Sequence, residues 1–524
     1  MFDIIIRNGT IVDGTGKPGF VADVGIKQKK IAKIGKIWWT RGRREVDAAG
    51  KIISPGFIDI HNHSDSYWRM FLDPQLPSLV YQGVTTIVGG NCGASIAPLT
   101  SGKIIETIQK WIDVRQINVN WLSMLEFREE MEKRKFSLNF ATLVGHGTLR
   151  RGVIGDEMRK LNEGELDFMR NMLVRSLLSG AIGVSAGLAY SHERDATWDE
   201  LKSLAILAKQ QEKIFSIHLR NEGSEIISAL DEALDLAKQT GVSMQISHFK
   251  VMGEKNWNLA DQALQKIEGA QKAGADVNFD VYPYTQTGSV LYVYLPSWAA
   301  EGGKGMLLRR LKEKHLRKKI IEGMREGKEY HYENAIIASS LHAKNPAERN
   351  ISRIAEIRGV SVEEVIADLL LASDGRVLTL LECLSEDNVK KNISHSLSIV
   401  ASDGAGYDSA YASSGELVHP RCFGTFPRVL GKYVREEKLL ALEDAIKKMT
   451  SMPAKKAGMK DRGVLQKGYK ADIVVFDQEK IRDLATIENP FQYSEGVSDV
   501  IVNGKLVLEG GKMTGEMAGE FIAN

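Results

Sequence analysis

Two histidines separated by a single residue, His61 and His63, follow the mostly apolar stretch of residues 55–60. Alternate side chains of a β-strand share a face, so both imidazoles point the same way and Asp59 lies one step deeper on that face. Two imidazoles backed by a carboxylate that fixes their tautomer suit a divalent metal ion. The spacing is short and common, and two solvated histidines at a strand end would look the same. The rest of the chain has to decide between these two interpretations.

Three further residues stand where β-rich runs end: His218, His248 and Asp403. One histidine in such a place is usually a hydrogen-bonded structural residue, but two on successive strands, beside His61 and His63, favour a site. Asp403 is followed by a glycine and could cap a turn, whereas beside a metal it could hold a water and move its proton. The four histidines favour the catalytic interpretation of this carboxylate.

Strand patterns alternate with helical patterns across residues 54–462, as in the amphipathic residues 224–234, which is typical of βα units with a parallel sheet. The candidate strands end near His63, Asn91, His146, Gly187, His218, His248, Tyr282 and Asp403. Eight such ends predict an α/β fold, a metal-dependent (β/α)8 TIM barrel whose reactive side chains collect at the C-terminal strand ends. An insertion is predicted around residues 290–345, between strands 7 and 8. Its charged part, about residues 301–332, is either a lid or, by preference, a solvated helical insertion.

The two ends of the chain differ from this middle part. In the first ~50 residues, short strand signals flank turn signals such as Asn8-Gly9. Strand patterns of the same kind return after residue 471. Because chain termini often lie close together, we predict a small β-sandwich-like domain formed by residues 1–53 plus 463–524, beside the barrel.

The formal net charge is +2, from 69 basic and 67 acidic residues. So small a total gives no overall field that would collect nucleic acid or an anionic membrane, and the expected partner is a small-molecule substrate. Cys92, Cys383 and Cys422 are too few for a disulfide framework and indicate a reducing compartment. The N-terminus has an acid where a signal peptide has bases, and no apolar stretch reaches the ~20 residues that span a bilayer. We expect a cytoplasmic protein, either a monomer or a homo-oligomer.

Five local motifs together resemble the N-acyl-D-amino-acid deacylases (D-aminoacylases) of the amidohydrolase superfamily, and the resemblance covers almost the whole chain. They lie at residues 90–93, 145–150, 183–188, 282–284 and 419–428. Many two-metal members of the superfamily carry a carboxylated lysine on the fourth strand, but residues 181–188 contain no lysine. Cys92 stands in a glycine-rich turn after the second strand, where a thiolate could approach a metal closely. A lone cysteine is otherwise most often a small buried hydrophobe.

The resemblance implies a set of metal ligands. Cys92, His218 and His248 would hold one firmly bound Zn2+. His61 and His63 would lie at a second metal position that family members occupy weakly or not at all.

The resemblance also implies roles around the substrate. Asp403 would be the general base and acid. The free carboxylate beside the scissile amide has three candidate partners, Lys250, Tyr282 and Arg421, and Ser289 is a weaker substrate contact. Lys250 has the strand parity of His248, so it should face the same cavity if the strand runs that far. Arg421 could bind a carboxylate bidentately or form a structural ion pair.

The implied activity is zinc-dependent hydrolysis of N-acyl-D-amino acids, giving a carboxylate and a free D-amino acid. A dipeptidase acting on L-Xaa-D-Xaa or related N-substituted D-amino acids is the nearest alternative, because an aminoacyl group presents the same amide. A cyclic-amide hydrolase fits less well without the fourth-strand lysine. A non-catalytic scaffold predicts a damaged metal site, whereas every ligand position here is filled. Residues 191–195 replace the family's usual Pro-Gly turn and could reshape the mouth of the site.

Overall fold

The computed structural model describes residues 1–100, 119–155, 157–326, 331–340 and 349–523. Its strands, numbered along the chain, are β1 Phe2–Ile11, β2 Phe20–Lys27, β3 Lys30–Gly35, β4 Gly42–Asp47, β5 Ile52–Pro55, β6 Phe57–Asp59, β7 Val84–Gly89, β8 Asn139–Thr142, β9 Val144–Gly145, β10 Gly183–Gly187, β11 Ile214–His218, β12 Ser243–Ile246, β13 Val277–Val281, β14 Gln286–Val290, β15 Ile336–Ser340, β16 Val377–Glu382, β17 Ser398–Val400, β18 Ile473–Phe476, β19 Val497–Val502, β20 Lys505–Glu509 and β21 Lys512–Met513. Its α-helices span Arg69–Leu72, Pro77–Val80, Met124–Lys133, His146–Ile154, Glu163–Leu178, Trp198–Gln210, Ile226–Thr240, Ala260–Lys272, Gly303–Lys312, Lys314–Glu326, Ile351–Arg358, Val362–Ala372, Glu386–Ser394, Arg421–Arg428, Leu442–Met449 and Ser451–Lys456. Of the helices in these described ranges, none combines the length and the hydropathy needed to span a bilayer.

Parallel strands form the barrel that carries the site. β6, β7 and β8 pair in that order, and β9, β10, β11, β12, β13 and β17 form the remaining arc. β8 and β9 are two halves of one strand broken at Leu143, and a parallel bridge between Asn62 and Gly404 joins the ends of β6 and β17. Within the described residues these pairings close a ring of eight strand positions. The predicted (β/α)8 barrel is therefore confirmed.

The barrel is packed on both sides of its wall. β10 and β11 are buried along their whole length, as expected of parallel strands with helices outside and side chains inside. The helix Ile226–Thr240 buries Ile226, Leu230 and Leu234 at helical spacing and ends at Gly241, whose φ of 67° suits glycine. This packing fixes the C-terminal strand ends at one mouth of the barrel.

The two ends of the chain share one sheet. Among the described residues its order is β21-β20-β19-β18-β5-β1-β2-β3, with β4 also paired to β1. β18 lies antiparallel to β5, with Ile473 opposite Pro55, so the C-terminal strands join the N-terminal ones directly. Ile4, Ile6 and Ile473 belong to an apolar cluster on this sheet that is separate from the barrel core. The small β domain built from both termini is confirmed, while its boundaries at residues 53 and 463 stay predictions.

A second group of elements separates β13 from β17. β14, β16 and β15 form an antiparallel sheet, and the helices Gly303–Lys312 and Lys314–Glu326 cover the charged part of the predicted insertion. β14 follows β13 closely and forms one wall of the cavity at the barrel mouth. Residues 327–330 and 341–345 of the predicted insertion lie outside the described residues.

Candidate active site

Cys92 is held in a tight turn after β7. Gly90, Cys92 and Gly93 have positive φ angles of 72°, 52° and 73°, a region that residues other than glycine adopt only under constraint. Ser185 of β10 supplies this constraint, because its hydroxyl accepts a hydrogen bond from Gly93 N (3.1 Å) and donates one to Gly90 O (2.5 Å). A side chain at position 93 would collide with the carboxylate of Glu193. These contacts fix the position of the Cys92 thiol at the barrel mouth.

His61 stands just beyond the end of β6. Its Nε2 lies 3.3 Å from Cys92 Sγ, and its Nδ1 lies 3.0 Å from Asp280 Oδ1. The carboxylate that fixes the tautomer of His61 is therefore Asp280 of β13, and the expectation that Asp59 does so is wrong. Asp59 instead accepts hydrogen bonds from the backbone N–H and the hydroxyl of Ser402. The alternation of one strand could not reveal a partner contributed by another strand of the barrel.

His218 and His248 also approach Cys92. His218 is the last residue of β11, and His248 lies two residues beyond β12 with a φ of 35°. His248 Nε2 is 3.5 Å from Cys92 Sγ, and the two imidazoles meet edge to face with their centroids 4.3 Å apart. Asp280 Oδ1 accepts the backbone N–H of His248 at 2.7 Å. One buried carboxylate thus holds both the ring of His61 and the strained backbone of His248.

The donor atoms converge closely enough to bind one metal ion. Cys92 Sγ and a nitrogen from each of His61 and His248 lie within 4.8 Å of one another. Burial alone would raise the pKa of the Cys92 thiol, but the charges of His61 and His248 hold that pKa well below its usual value. The thiolate, which is the form that binds metal, is thereby favoured. Nδ1 of His218 is buried and has no hydrogen-bond partner among the described residues. A thiolate with imidazoles is a donor set that suits zinc.

Asp403, three residues beyond β17, directs both carboxylate oxygens at cationic groups. Oδ1 lies 3.3 Å from His61 Nε2 and 3.1 Å from His63 Nε2, and Oδ2 lies 2.7 Å from Arg421 Nη1. Burial alone would raise the pKa of Asp403, but Arg421, His248 and His61 hold it well below its usual value. The carboxylate is therefore ionised and able to accept a proton. Nitrogens of His61 and His63 and an oxygen of Asp403 form a second group, within 4.8 Å of one another, that suits a metal ion.

Glu222, absent from the sequence prediction, lies among the candidate ligands. Its carboxylate is 2.6 Å from Lys250 Nζ, 3.0 Å from His248 Nδ1 and 3.7 Å from His218 Nε2. Lys250 Nζ also lies 3.0 Å from His248 Nδ1. Because β12 ends at Ile246, Lys250 reaches the cavity from the loop after the strand and not through strand parity. The available signal for Glu222 was its place four residues after His218, just beyond a strand end at the barrel mouth.

Arg421 begins the helix Arg421–Arg428 and is buried beside Asp403. Its guanidinium lies over the ring of Tyr282, 4.7 Å from the centroid, and its Nε has no hydrogen-bond partner among the described residues. A Cβ on Gly288 would stand 3.9 Å from Arg421 Nη2, and Ser289, the next residue along β14, lines the cavity. Tyr282 therefore packs against the guanidinium of Arg421 beside Asp403, and Ser289 lies in the wall of the same cavity.

A cavity of about 640 Å³ opens over this site. Predicted site residues that line it are His63, Cys92, His218, His248, Lys250, Ser289, Asp403 and Arg421. Tyr292, Leu295 and Pro296, which follow β14, add an apolar wall. The volume is in the range of small-molecule binding sites in proteins.

The loop of residues 191–195 contributes to the rim of this cavity, but Glu193 turns inward. Glu193 Oε2 accepts the backbone N–H of Gly187 at 2.7 Å and lies 2.9 Å from His146 Nδ1. The other ring nitrogen of His146 is 2.7 Å from Glu200 Oε1. Burial alone would lower the pKa of His146, but its hydrogen bonds to Glu193 and Glu200 raise that pKa to about 8. A buried charged cluster therefore holds this loop against the barrel.

A parallel barrel with thiolate and imidazole donors at its C-terminal mouth, beside an ionised aspartate, defines a class of metal-binding barrels that activate small molecules at the strand ends. A family model narrows this class. The model described as amidohydrolase family matches residues 44–508, and the chain belongs to this family.

Relatives and solved structures agree over the full length of the chain. The D-aminoacylase of Alcaligenes xylosoxydans xylosoxydans is 32% identical over 522 residues, which cover 100% of this chain and 98% of the relative. The N-acyl-D-glutamate deacylase of the same organism is 34% identical over 508 residues, 97% of this chain and 93% of the relative. A crystal structure of N-acyl-D-glutamate deacylase from Bordetella bronchiseptica, complexed with zinc and a phosphonate inhibitor, has a TM-score of 0.84 at 30% identity, covering 100% of both chains. A crystal structure of D-aminoacylase has a TM-score of 0.85 at 32% identity with the same coverage.

Proposed function

We propose that this chain hydrolyses the amide bond of N-acyl-D-amino acids with zinc as its cofactor, releasing a carboxylate and a free D-amino acid. One observation carries the proposal: the donor cluster around Cys92, the ionised Asp403 and the buried Arg421 meet in one cavity. Two relatives support the proposal, the D-aminoacylase and the N-acyl-D-glutamate deacylase, which are 32% and 34% identical over nearly the whole chain. The proposed preference for the D-enantiomer rests on these relatives.

Two sets of ligands are proposed: Cys92, His218 and His248 would hold the tightly bound zinc ion, and His61 and His63 would hold a second, weaker one. The donor atoms of Cys92 and His248 lie within 4.8 Å of a nitrogen of His61, whereas His218 groups with His248 and Glu222. The two sets are therefore adjacent, and His248 belongs to both groups around the first zinc position. A zinc ion held there would supply polarisation of the amide carbonyl and would lower the pKa of a water molecule toward about 7. Asp280 fixes the tautomer and orientation of His61, and the Glu222 carboxylate lies 3.0 Å from Nδ1 of His248.

Asp403 is placed to move the proton of the reaction. Arg421 keeps it ionised, so it can accept a proton from the attacking water. The water oxygen adds to the carbonyl carbon, and the carboxyl of Asp403 then passes the same proton to the departing amide nitrogen. This makes the nitrogen a neutral amine leaving group and returns Asp403 to its ionised form. His63, 3.1 Å from Asp403 Oδ1, orients the carboxylate.

The free carboxylate of the substrate requires a cation that positions the scissile carbonyl over the donor cluster. Arg421 is the strongest candidate, because one end of its guanidinium holds Asp403 while its Nε is unpaired among the described residues. Tyr282 supports the guanidinium and Ser289 lies on the adjacent wall. Lys250 is a weaker candidate, since Glu222 already binds its ammonium at 2.6 Å.

We further propose a cytoplasmic location. Cys92, Cys383 and Cys422 are free and buried thiols, which supports a reducing compartment. Sedimentation equilibrium on the purified chain would show whether it is a monomer or a homo-oligomer.

A substrate panel tests the proposed activity. The zinc-loaded full chain is assayed with N-acetyl-D-amino acids, their L-enantiomers, L-Xaa-D-Xaa dipeptides and cyclic amides. The proposal expects the highest kcat/KM for an N-acetyl-D-amino acid. Faster cleavage of the dipeptides would replace the deacylase with a dipeptidase. Failure to hydrolyse any linear amide at full zinc occupancy would reject the proposal.

A further inference from the structure

The small net charge of the chain conceals one strongly basic segment. Residues 24–44 contain eight of the 69 basic residues and none of the 67 acidic ones. Because the whole chain carries +2, the rest of it carries −6. The segment runs through β2 and β3 to the start of β4, and β3 is an edge strand of the terminal sheet. Lys29, Arg43 and Arg44 are paired with acids from other segments, so five of the eight basic residues are left to set the local field that an anionic partner meets.

Two tryptophans project from the connection between β3 and β4. Trp38 is 70% exposed and Trp39 is 94% exposed, although tryptophan is normally among the well-buried residues. The loop backbone is braced, because Arg7 donates hydrogen bonds to Ile37 O at 2.8 Å and to Thr40 O at 3.0 Å, and Ile37 is buried. The loop therefore holds both indoles outward.

Exposed cations lie close to the indoles along the chain. Lys36 Nζ lies 5.1 Å from the ring centroid of the first tryptophan, Arg41 follows the second by two positions, and Lys33 is exposed on β3. Among the described residues none of these three forms an ion pair. The nearby acids Glu45 and Asp3 are already paired with arginines. The surface defined by Trp38, Trp39, Lys33, Lys36 and Arg41 is called the Trp patch below.

We propose that the Trp patch docks the protein on an anionic lipid bilayer. Indole rings favour the bilayer interface, where the ring is in an apolar layer and its N–H meets water, and basic residues are drawn to anionic headgroups. A symmetric contact between two copies is disfavoured, because a two-fold axis would place the same cations opposite each other. The patch contributes no residue to the cavity over Cys92, so docking leaves the hydrolytic site open.

Vesicle co-sedimentation of the full chain tests the proposal. The vesicles are phosphatidylcholine with phosphatidylglycerol, and phosphatidylcholine alone. Wild-type protein should bind the anionic vesicles and dissociate from them as the salt concentration increases. Each neutralised cation should lower partitioning about fivefold, so Lys36→Gln with Arg41→Gln should lower it about 25-fold. Lys272→Gln with Lys318→Gln removes the same charge from exposed helix positions and should leave binding unchanged.

Trp38→Ser with Trp39→Ser should also abolish most of the binding, with Phe168→Ser, another exposed aromatic, as its control. Turnover of a soluble substrate and the melting temperature should match wild type in the Trp patch variants, which shows that the fold and the site are intact. Equal binding of wild type and the Trp patch variants, or no binding to anionic vesicles, would overturn the proposal. Stronger binding to single-stranded oligonucleotides than to vesicles would also overturn it, because the patch would then bind nucleic acid. A concentration-dependent mass that the Trp38 and Trp39 changes abolish would likewise overturn it and would assign the patch to a second copy of the chain.

Discussion

Ser185→Ala should weaken zinc binding although the hydroxyl of Ser185 contacts no ligand side chain. That hydroxyl bonds Gly90 O and Gly93 N, the two ends of the turn that keeps Cys92 at a φ of 52°. Without the hydroxyl, Gly90 O and Gly93 N–H stay buried and unpaired, and each costs about 1–3 kcal/mol of free energy. The left-handed backbone of Cys92 stores about 1–3 kcal/mol of strain that the clamp now resists. The turn should therefore relax, and Sγ should leave the imidazoles.

The size of the effect follows from the fraction of molecules whose turn stays competent to bind. If that fraction falls to between about one tenth and one hundredth, the apparent Kd for zinc rises by the inverse factor. A 10- to 100-fold change corresponds to about 1.4–2.7 kcal/mol, which is well within the free energy of two unpaired buried groups. Substitutions behind metal ligands typically change affinity by about the same factor.

Competition with a chromophoric chelator measures the zinc Kd of metal-stripped wild type, Ser185→Ala and Ser398→Ala. Ser398 is the matched control, because its buried hydroxyl bonds Ile393 O and Lys448 Nζ at the start of β17, far from Cys92. Thermal melting compares the stabilities of the variants. Wild-type zinc affinity in folded Ser185→Ala would refute the clamp. Equal losses of affinity in both variants would refute it as well, since general destabilisation would then explain them.

Cys92→Ala and His218→Ala should each lose the tightly bound zinc and the activity together, and full zinc content in purified Cys92→Ala would remove the thiol from the ligand set. Arg421→Met should lower kcat/KM for an N-acyl-D-amino acid by about thirtyfold or more relative to the matching N-acyl amine, which lacks the carboxylate. Because Arg421 also depresses the pKa of Asp403, the acid limb of both pH profiles should move to higher pH, so the two substrates are compared on the alkaline side of that limb. Equal losses there would reject Arg421 as the anchor. The hydrogen bonds of His146 raise its pKa from an ordinary value of about 6.5 to about 8, so its contribution to the free energy of unfolding is complete below about pH 6.5 and is lost as the pH rises through about 8. Chemical unfolding at about pH 6 and pH 9 should show a loss of stability that is about 2 kcal/mol larger in wild type than in His146→Gln, because other groups titrate equally in both, and equal losses would contradict the assignment.

The strand ends and the histidines were predictable because their signal is local. A polar residue that directly follows an apolar run marks the mouth of a barrel, and this places His61, His218 and Asp403 correctly. Asp280 and Glu222 were missed because their partners come from other strands and loops. In hindsight Asp280 is an acid inside an otherwise mostly apolar strand, which should have marked it as a buried hydrogen-bonding group.

The turn predicted at Asn8-Gly9 in the first strand was wrong for a different reason. Asn8-Gly9 is a turn signal, yet β1 runs without a break from Phe2 to Ile11. Its register with β2 shifts between Ile6 and Gly9, and Asn8 has a φ of 62°. The same residues that permit a turn also permit a bulge, and pairing with neighbouring strands decides which one forms. That choice depends on long-range contacts that a local pattern does not contain.

Turnover and zinc content of Asp403→Asn, measured beside wild type on one N-acetyl-D-amino acid, test whether Asp403 moves the proton in a zinc-dependent hydrolysis. Wild type should hydrolyse the substrate only when it is loaded with zinc. Asp403→Asn should keep its fold and the tightly bound zinc, but its turnover should fall by about 10²- to 10⁴-fold, since the amide cannot accept the proton from water. Near-wild-type turnover in the zinc-loaded variant, or full activity of metal-stripped wild type, would contradict this mechanism.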